Sequence, residues 1–255
     1  MTLEMVIMAN LTKAKSIAGP VIHAVDPWAS GSLAKGARHQ ILSEEERTKL
    51  ARVASIVHFD KGEQIYQQGD PAYAAFNIQN GIVTAYRTLA HGEYVTSFLY
   101  PGDIFGLSEQ GCYSNSTKAA TPVVAYRIGL PAMRRILDSN AGLDVEVIIK
   151  LCDGLREAQR HALLLAQKRA VTRLTMFLAL QEHLQVTIGD ATSDIYLPMD
   201  RSSIAAYLGL TPAALSRAFR MLDLKKMITC RDRHHVKILN RTAFNKLADP
   251  GLFEC

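Results

Sequence analysis

The stretch Leu197–Cys230, LPMDRSSIAAYLGLTPAALSRAFRMLDLKKMITC, decides how the chain is read. Asp200 is a good N-cap for a first helix, Arg201 to Leu208, because its carboxylate can accept from unpaired backbone N–H groups. Gly209 follows as the C′ residue that ends it. Thr211 caps a second helix, with Pro212 at the first helical position, where its missing N–H costs nothing. Ile204, Leu208, Leu215 and Leu222 supply apolar faces on which the two helices can cross. Two short helices joined by a tight turn containing glycine predict a helix-turn-helix.

The second helix keeps a polar or small-residue face at Ala213, Ser216, Arg217 and Arg220. In a helix-turn-helix that face enters the major groove. Arg217 has the geometry to bond guanine O6 and N7 together, and Ser216 can reach a base or a phosphate. Arg201, Ser202 and Thr211 stand at helix starts, where phosphates are favoured. Lys225 and Lys226 follow. A β-hairpin wing is expected through Thr229 to Leu239, carrying Arg231, Arg233, His234, His235 and Lys237.

Upstream, Ile148, Leu151, Leu155, Ala158, Ala162 and Leu165 recur at alternating spacings of three and four, a narrow apolar seam along a proline-free segment. Lys150, Arg156, Glu157 and Arg160 flank it. This predicts a subunit-pairing helix over residues 141–166, with the competing reading of a helix packed on its own body. A further helix is expected from about Lys168 to Leu184, then a loop from Gly189 to Pro198. Further upstream, short β-prone runs (IVHF, QIYQQ, AAFNIQ, GIVTAYRT, YVTSFLY, VVAYRIG) alternate with turn signals. Among these, Asn80-Gly81 is the strongest hairpin signal, and many short strands at such spacing mean a sandwich or barrel. Residues 41–140 are therefore a β-barrel domain, opened by a short helix at 42–54 that Ser43 caps. Residues 1–40 read as a flexible leader, and 167–255 as the DNA-reading domain.

Charge follows this division. Residues 167–255 hold 13 Lys and Arg against 8 Asp and Glu, and the first 166 residues balance, so the whole net charge of +5 lies in the last third. A basic segment on a neutral body suits a polyanionic partner. The four cysteines, Cys112, Cys152, Cys230 and Cys255, have no CxxC spacing, so no zinc or iron–sulfur motif exists. HExxH, GxSxG, the Walker loop and GxGxxG after a strand are all missing, and no catalytic residue is assigned. No apolar run is long enough to span a membrane. The N-terminus lacks the basic region of a secretory signal, so a cytoplasmic location is expected.

Residues 50–248 resemble the CRP/FNR family of bacterial transcription regulators, nearest to its FixK/FNR-like branch. The resemblance rests on Lys61-Gly62-Glu63-x-Ile65, Gly69-Asp70, Phe76-x-Ile78-x-x-Gly81, Pro101-Gly102-Asp103-x-x-Gly106 and the Leu197–Leu222 stretch. It implies an α+β fold: an N-terminal β-jelly-roll barrel like a cyclic-nucleotide-binding domain, a long dimerisation helix and a C-terminal winged helix-turn-helix. It also implies a homodimer on a pseudo-palindromic DNA operator, most often as an activator touching RNA polymerase.

Two departures stand out. The family commonly has Glu where this chain has Ala213, so one base pair of the half-site should be read differently. In cyclic-nucleotide binders a Gly-Glu pair and an Arg-Ser/Thr-Ala triplet hold the ligand. Here Leu107 replaces the Glu, and no Arg lies between Arg87 and Arg127, although Lys118 could face a phosphate. Residues 1–111 contain no cysteine, which removes the FNR-type cluster. No cofactor is expected. Haem ligation through His161, His58 or His91, an unidentified small effector, and redox sensing at Cys230 beside the DNA interface stay open.

Overall fold

The computed structural model describes residues 52–90, 92–108, 110–138, 141–188 and 194–248. The expected leader, most of the helix at 42–54, His91 and Cys255 lie outside the described residues. Ala54, placed at the end of that helix from sequence, instead opens the first strand.

Eight strands build two four-stranded antiparallel sheets: β1 (Ala54–Phe59), β2 (Gln64–Tyr66), β3 (Ala74–Asn80), β4 (Val83–Leu89), β5 (Gly92–Leu99), β6 (Ile104–Phe105), β7 (Ser116–Ala119) and β8 (Val123–Gly129). One sheet runs β1-β8-β3-β6 and the other β2-β7-β4-β5. This is the expected jelly roll. Its interior holds Ile65, Tyr66, Phe76, Ile78, Val83, Phe105 and Tyr113, packed as one cluster.

The Asn80-Gly81 reading is corrected. It does not close a hairpin, because β3 and β4 belong to different sheets. Gly81 has φ +87°, and a Cβ there would lie 2.2 Å from the Pro122 carbonyl oxygen. Glycine is required for close backbone approach at a crossing between sheets. Strands β4 and β5 pair as the hairpin instead, with Leu89 opposite Gly92.

After the barrel come α1 (Leu130–Leu137), α2 (Ala141–Ala166) and α3 (Ala170–Ile188). Then follow β9 (Ile195–Tyr196), α4 (Arg201–Tyr207), α5 (Pro212–Leu224), β10 (Ile228–Cys230), β11 (His235–Ile238) and α6 (Arg241–Ala248). The segment read as a loop to Pro198 thus contains a strand, which pairs with β11 to make a three-stranded wing sheet, β10-β11-β9. No helix among the described residues is long and apolar enough to cross a membrane.

One core joins the barrel to the C-terminal elements. Tyr86, Val95 and Phe98 of the β4–β5 sheet share it with Leu174, Phe177, Leu178, Ile204, Tyr207, Leu215, Leu222 and Phe244. The long helix α2 rests on this body through Leu164, His161 and Glu157, and turns its apolar seam outward. Ile148, Leu151 and Leu155 are 56%, 56% and 61% exposed. Arg156, Glu157 and Arg160, read from sequence as flanks of the seam, are instead half-buried.

Candidate nucleic-acid interface

The two helices of Leu197–Cys230 form as their cap signals predict. Asp200 Oδ1 accepts from the Ser203 N–H at 2.6 Å and from the Ser202 hydroxyl at 2.6 Å. Partial burial would raise the Asp200 carboxyl, but the Ser202 and Ser203 hydrogen bonds outweigh it and hold the group below its usual range. The Gly209 N–H meets the Ala206 carbonyl and the Leu210 N–H meets the Ala205 carbonyl. These paired bonds are a Schellman ending. Arg173 of α3 braces the same turn, donating to the Leu208 carbonyl at 3.0 Å and the Gly209 carbonyl at 3.3 Å. Thr211 Oγ1 accepts from the Ala214 N–H at 3.2 Å and starts α5.

Helix α5 is held by Leu215, Ala218, Phe219 and Leu222, all buried. Its other face carries Ala213, Ser216, Arg217 and Arg220, all exposed. Among the described residues no carboxylate pairs with Arg217 or Arg220. Both guanidiniums are thus available to a ligand. The Ser216 hydroxyl donates to the Pro212 carbonyl at 2.9 Å, which leaves its oxygen lone pairs facing out. Lys225 and Lys226 extend the basic face beyond the helix end.

Arg201 behaves differently from its expectation as a phosphate ligand at a helix start. Its guanidinium lies 3.8 Å from the centroid of the Phe219 ring, and burial lowers its pKa. It clamps α4 to α5 by cation–π packing. Ser202 is committed to the Asp200 cap, and Thr211 to its own.

The wing is ordered by one carboxylate. Asp232 accepts from the His234 and His235 N–H groups at 2.6 and 2.8 Å and from His235 Nδ1 at 2.8 Å. These bonds hold its carboxyl down at about 2. Arg231 is tied to Asp194 at 2.8 Å, and among the described residues Arg233 and Lys237 are the wing cations that pair with no carboxylate. Cys230 is exposed beside this wing. Desolvation pushes its thiol pKa up, and the Arg201 charge acts against that rise.

The other candidate residues are dispersed. His161 donates from Nε2 to the Tyr207 carbonyl at 2.7 Å, and its ring stacks on Tyr207. It is engaged as a structural group, not presented to a haem iron. His58 is exposed on β1. Lys118 pairs with Glu93 at 3.1 Å and lies over the Tyr86 ring. In the β6–β7 connection, where a cyclic nucleotide would be cradled, Tyr113 turns inward and stacks on Tyr66 with ring centroids 3.7 Å apart. Its hydroxyl donates to the Ala74 carbonyl at 2.9 Å. Sequence reasoning passed over this tyrosine, although an aromatic in place of the basic triplet was the available signal. The residues present do not fit a cyclic nucleotide.

Residues 56–140 match the family model for the cyclic nucleotide-binding domain, and residues 172–247 match that for the Crp-like helix-turn-helix domain. The chain is 29% identical over 195 residues to the nitrogen fixation regulation protein FixK of Rhizobium meliloti, covering 76% of this chain and 87% of that one. It is 26% identical over 183 residues to the protein of that name from Bradyrhizobium diazoefficiens, covering 71% and 77%. The solved structure of FixK2 from Bradyrhizobium japonicum superposes with a TM-score of 0.70 at 26% identity, covering 76% of this chain and 97% of that one.

Proposed function

The chain belongs to the CRP/FNR family of transcription regulators, and from that premise we propose that it binds a pseudo-palindromic operator as a homodimer and activates transcription without a cyclic nucleotide. The observation that carries the DNA reading is the exposed, unpaired pair Arg217 and Arg220 on a helix whose opposite face is buried. The Leu151–Leu155 seam of α2 supports pairing of two copies, since a monomer has no reason to expose three large aliphatics in one row. Two copies would set their α5 helices about 34 Å apart, one turn of DNA. The relatives named for nitrogen fixation regulation support regulatory activity, and RNA polymerase is the partner that an activator in the cytoplasm would touch. The Tyr66–Tyr113 stack supports a barrel that works without a cyclic nucleotide. The chain is accordingly assigned no catalysis.

Selection of preferred duplexes from a random pool, followed by binding measurements at several salt concentrations, tests this reading. Affinity should fall linearly with log salt, by about 0.9 decade per decade for each phosphate contacted. Arg217→Ala should cost roughly 1–3 kcal/mol and relax preference at one base pair. Ala213 can touch a thymine methyl but cannot accept from cytosine N4. The selected half-site should therefore differ there from the ordinary FNR-type site, and recovery of that ordinary site would refute the assignment.

A further inference from the structure

We infer that His161 is a positioning residue for the DNA reader, holding α4 against the barrel and the long helix as an uncharged ring, and that protonation of His161 loosens this joint. The inference deepens the DNA-binding reading and rests on it for its functional consequence.

Three parts of the molecule meet at His161. The residue belongs to α2. Its Nε2 lies 2.7 Å from the Tyr207 carbonyl at the end of α4. A carbonyl only accepts, so Nε2 carries the hydrogen. The imidazole stacks on the Tyr207 ring with centroids 4.0 Å apart and planes 4° from parallel. From the barrel, the Thr96 carbonyl of β5 also faces the ring, and Phe98 packs on Tyr207 with centroids 5.2 Å apart. From α3, Phe177 packs against Tyr207 with ring centroids 5.7 Å apart. The Tyr207 hydroxyl donates to Glu157 at 3.3 Å, one turn before His161 on α2. Two residues beyond Tyr207, the Gly209 turn abuts Leu165 of α2 and is braced by Arg173. That turn sets the position of α5. A change at His161 therefore reaches the recognition helix through Tyr207 and the turn.

The charged and titratable groups around the joint are few. On α2 they are Glu157, committed to Tyr207, and Arg160. On α4 there is Tyr207 itself. At the end of β5 there is Tyr100, bonded to Gln181 of α3, with Asp103 just beyond, and Arg173 lies at the turn. No carboxylate among the described residues bonds the imidazole to offset a positive ring. Burial is the largest influence on the ring and lowers its pKa. The bonds to Tyr207 and Thr96 act the other way without reversing it. The sign follows. A freed His161 takes its proton near the ordinary value of about 6.5, and the closed joint resists it. The closed joint is thus fully stable above that pH and loses stability as pH falls below it.

Hydrogen exchange of the purified full-length protein, corrected for intrinsic rates, tests the joint directly. Backbone amides at 204–210 and 94–99 should exchange at least about fivefold faster at pH 5.5 than at pH 8, the low end of ordinary coupling between sites. His161→Gln keeps a donor for the Tyr207 carbonyl and cannot titrate. It should match the wild type at pH 8 and show no such acceleration in acid. His161→Ala should exchange faster at both values. If His161→Gln accelerates in acid as the wild type does, the inference fails. If His161→Ala does not fold, the glutamine variant still decides the question.

Affinity for a selected operator relative to a scrambled duplex gives the functional readout. A change in overall charge acts on both duplexes alike through phosphate contacts, so only the ratio reports the joint. That ratio should fall at pH 5.5 in the wild type and stay level in His161→Gln. A protein that prefers no sequence at any pH would refute the operator reading, while the exchange result would still decide the joint.

Discussion

Gly209 stands at the turn between the two helices of the helix-turn-helix. Its φ is +60°, and a Cβ would meet Leu165 Cδ2 at 3.2 Å and Arg173 Nη1 at 3.3 Å. Both neighbours are ends of flexible side chains, so the penalty in Gly209→Ala comes chiefly from the left-handed backbone, about 1–2 kcal/mol. Denaturant unfolding should register that loss, and unchanged stability would mean the turn relaxes freely. Lys226 is the complementary case. It ends α5 with φ +52°, the only non-glycine residue described with positive φ. Lys226→Gly should raise stability by about 1 kcal/mol in the same assay, because the Met227 N–H to Leu222 carbonyl bond that closes the helix is untouched. At this scale sequence reading was good for caps and poor for direction. Asp200, Gly209, Thr211 and Pro212 all act where their local chemistry placed them. Arg201 did not, because the aromatic ring that captures it stands eighteen residues away, on the other helix. Asn80-Gly81 misled for the same reason: the Pro122 carbonyl that demands a glycine is remote in sequence.

Elements with a long period were legible, and elements of two or three residues were not. Helix α2 announces itself over 26 residues, and the seam derived from its spacing is the row found exposed. Its second face, which docks on the body through His161 and Leu164, was hidden behind charges that read as solvated. Strands β6 and β9 are two residues each, too short to show an alternation, and their existence depends on partners β3 and β11. The seam leads to a test of its own. Leu151→Lys or Leu155→Lys buries a charge in any paired helix, so sedimentation should show a monomer. Operator affinity should drop by orders of magnitude as two half-sites lose their linkage. A variant that remains dimeric would place the subunit contact elsewhere.

At the scale of the whole chain, the boundary drawn from sequence between barrel and reader is not a boundary of the core. Tyr86, Val95 and Phe98 belong by chain position to the barrel, and by packing to the cluster around Leu174, Tyr207 and Phe219. Local periodicity cannot reveal this, since it reports which face is apolar and not what covers it. Calorimetry of the full-length protein should accordingly give one main transition for the barrel sheet and the reader together. Two well-separated transitions would mean that the shared packing contributes little. The same sharing governs how the protein can be recombined. A reader cut free near residue 170 would leave the apolar surfaces of Phe177 and Tyr207 uncovered. A barrel ended near residue 138 would do the same for Val95 and Phe98. In a chimera, then, the interchangeable module is the reader together with whatever strand surface replaces β4 and β5, and grafts that ignore that surface should be sticky and poorly expressed.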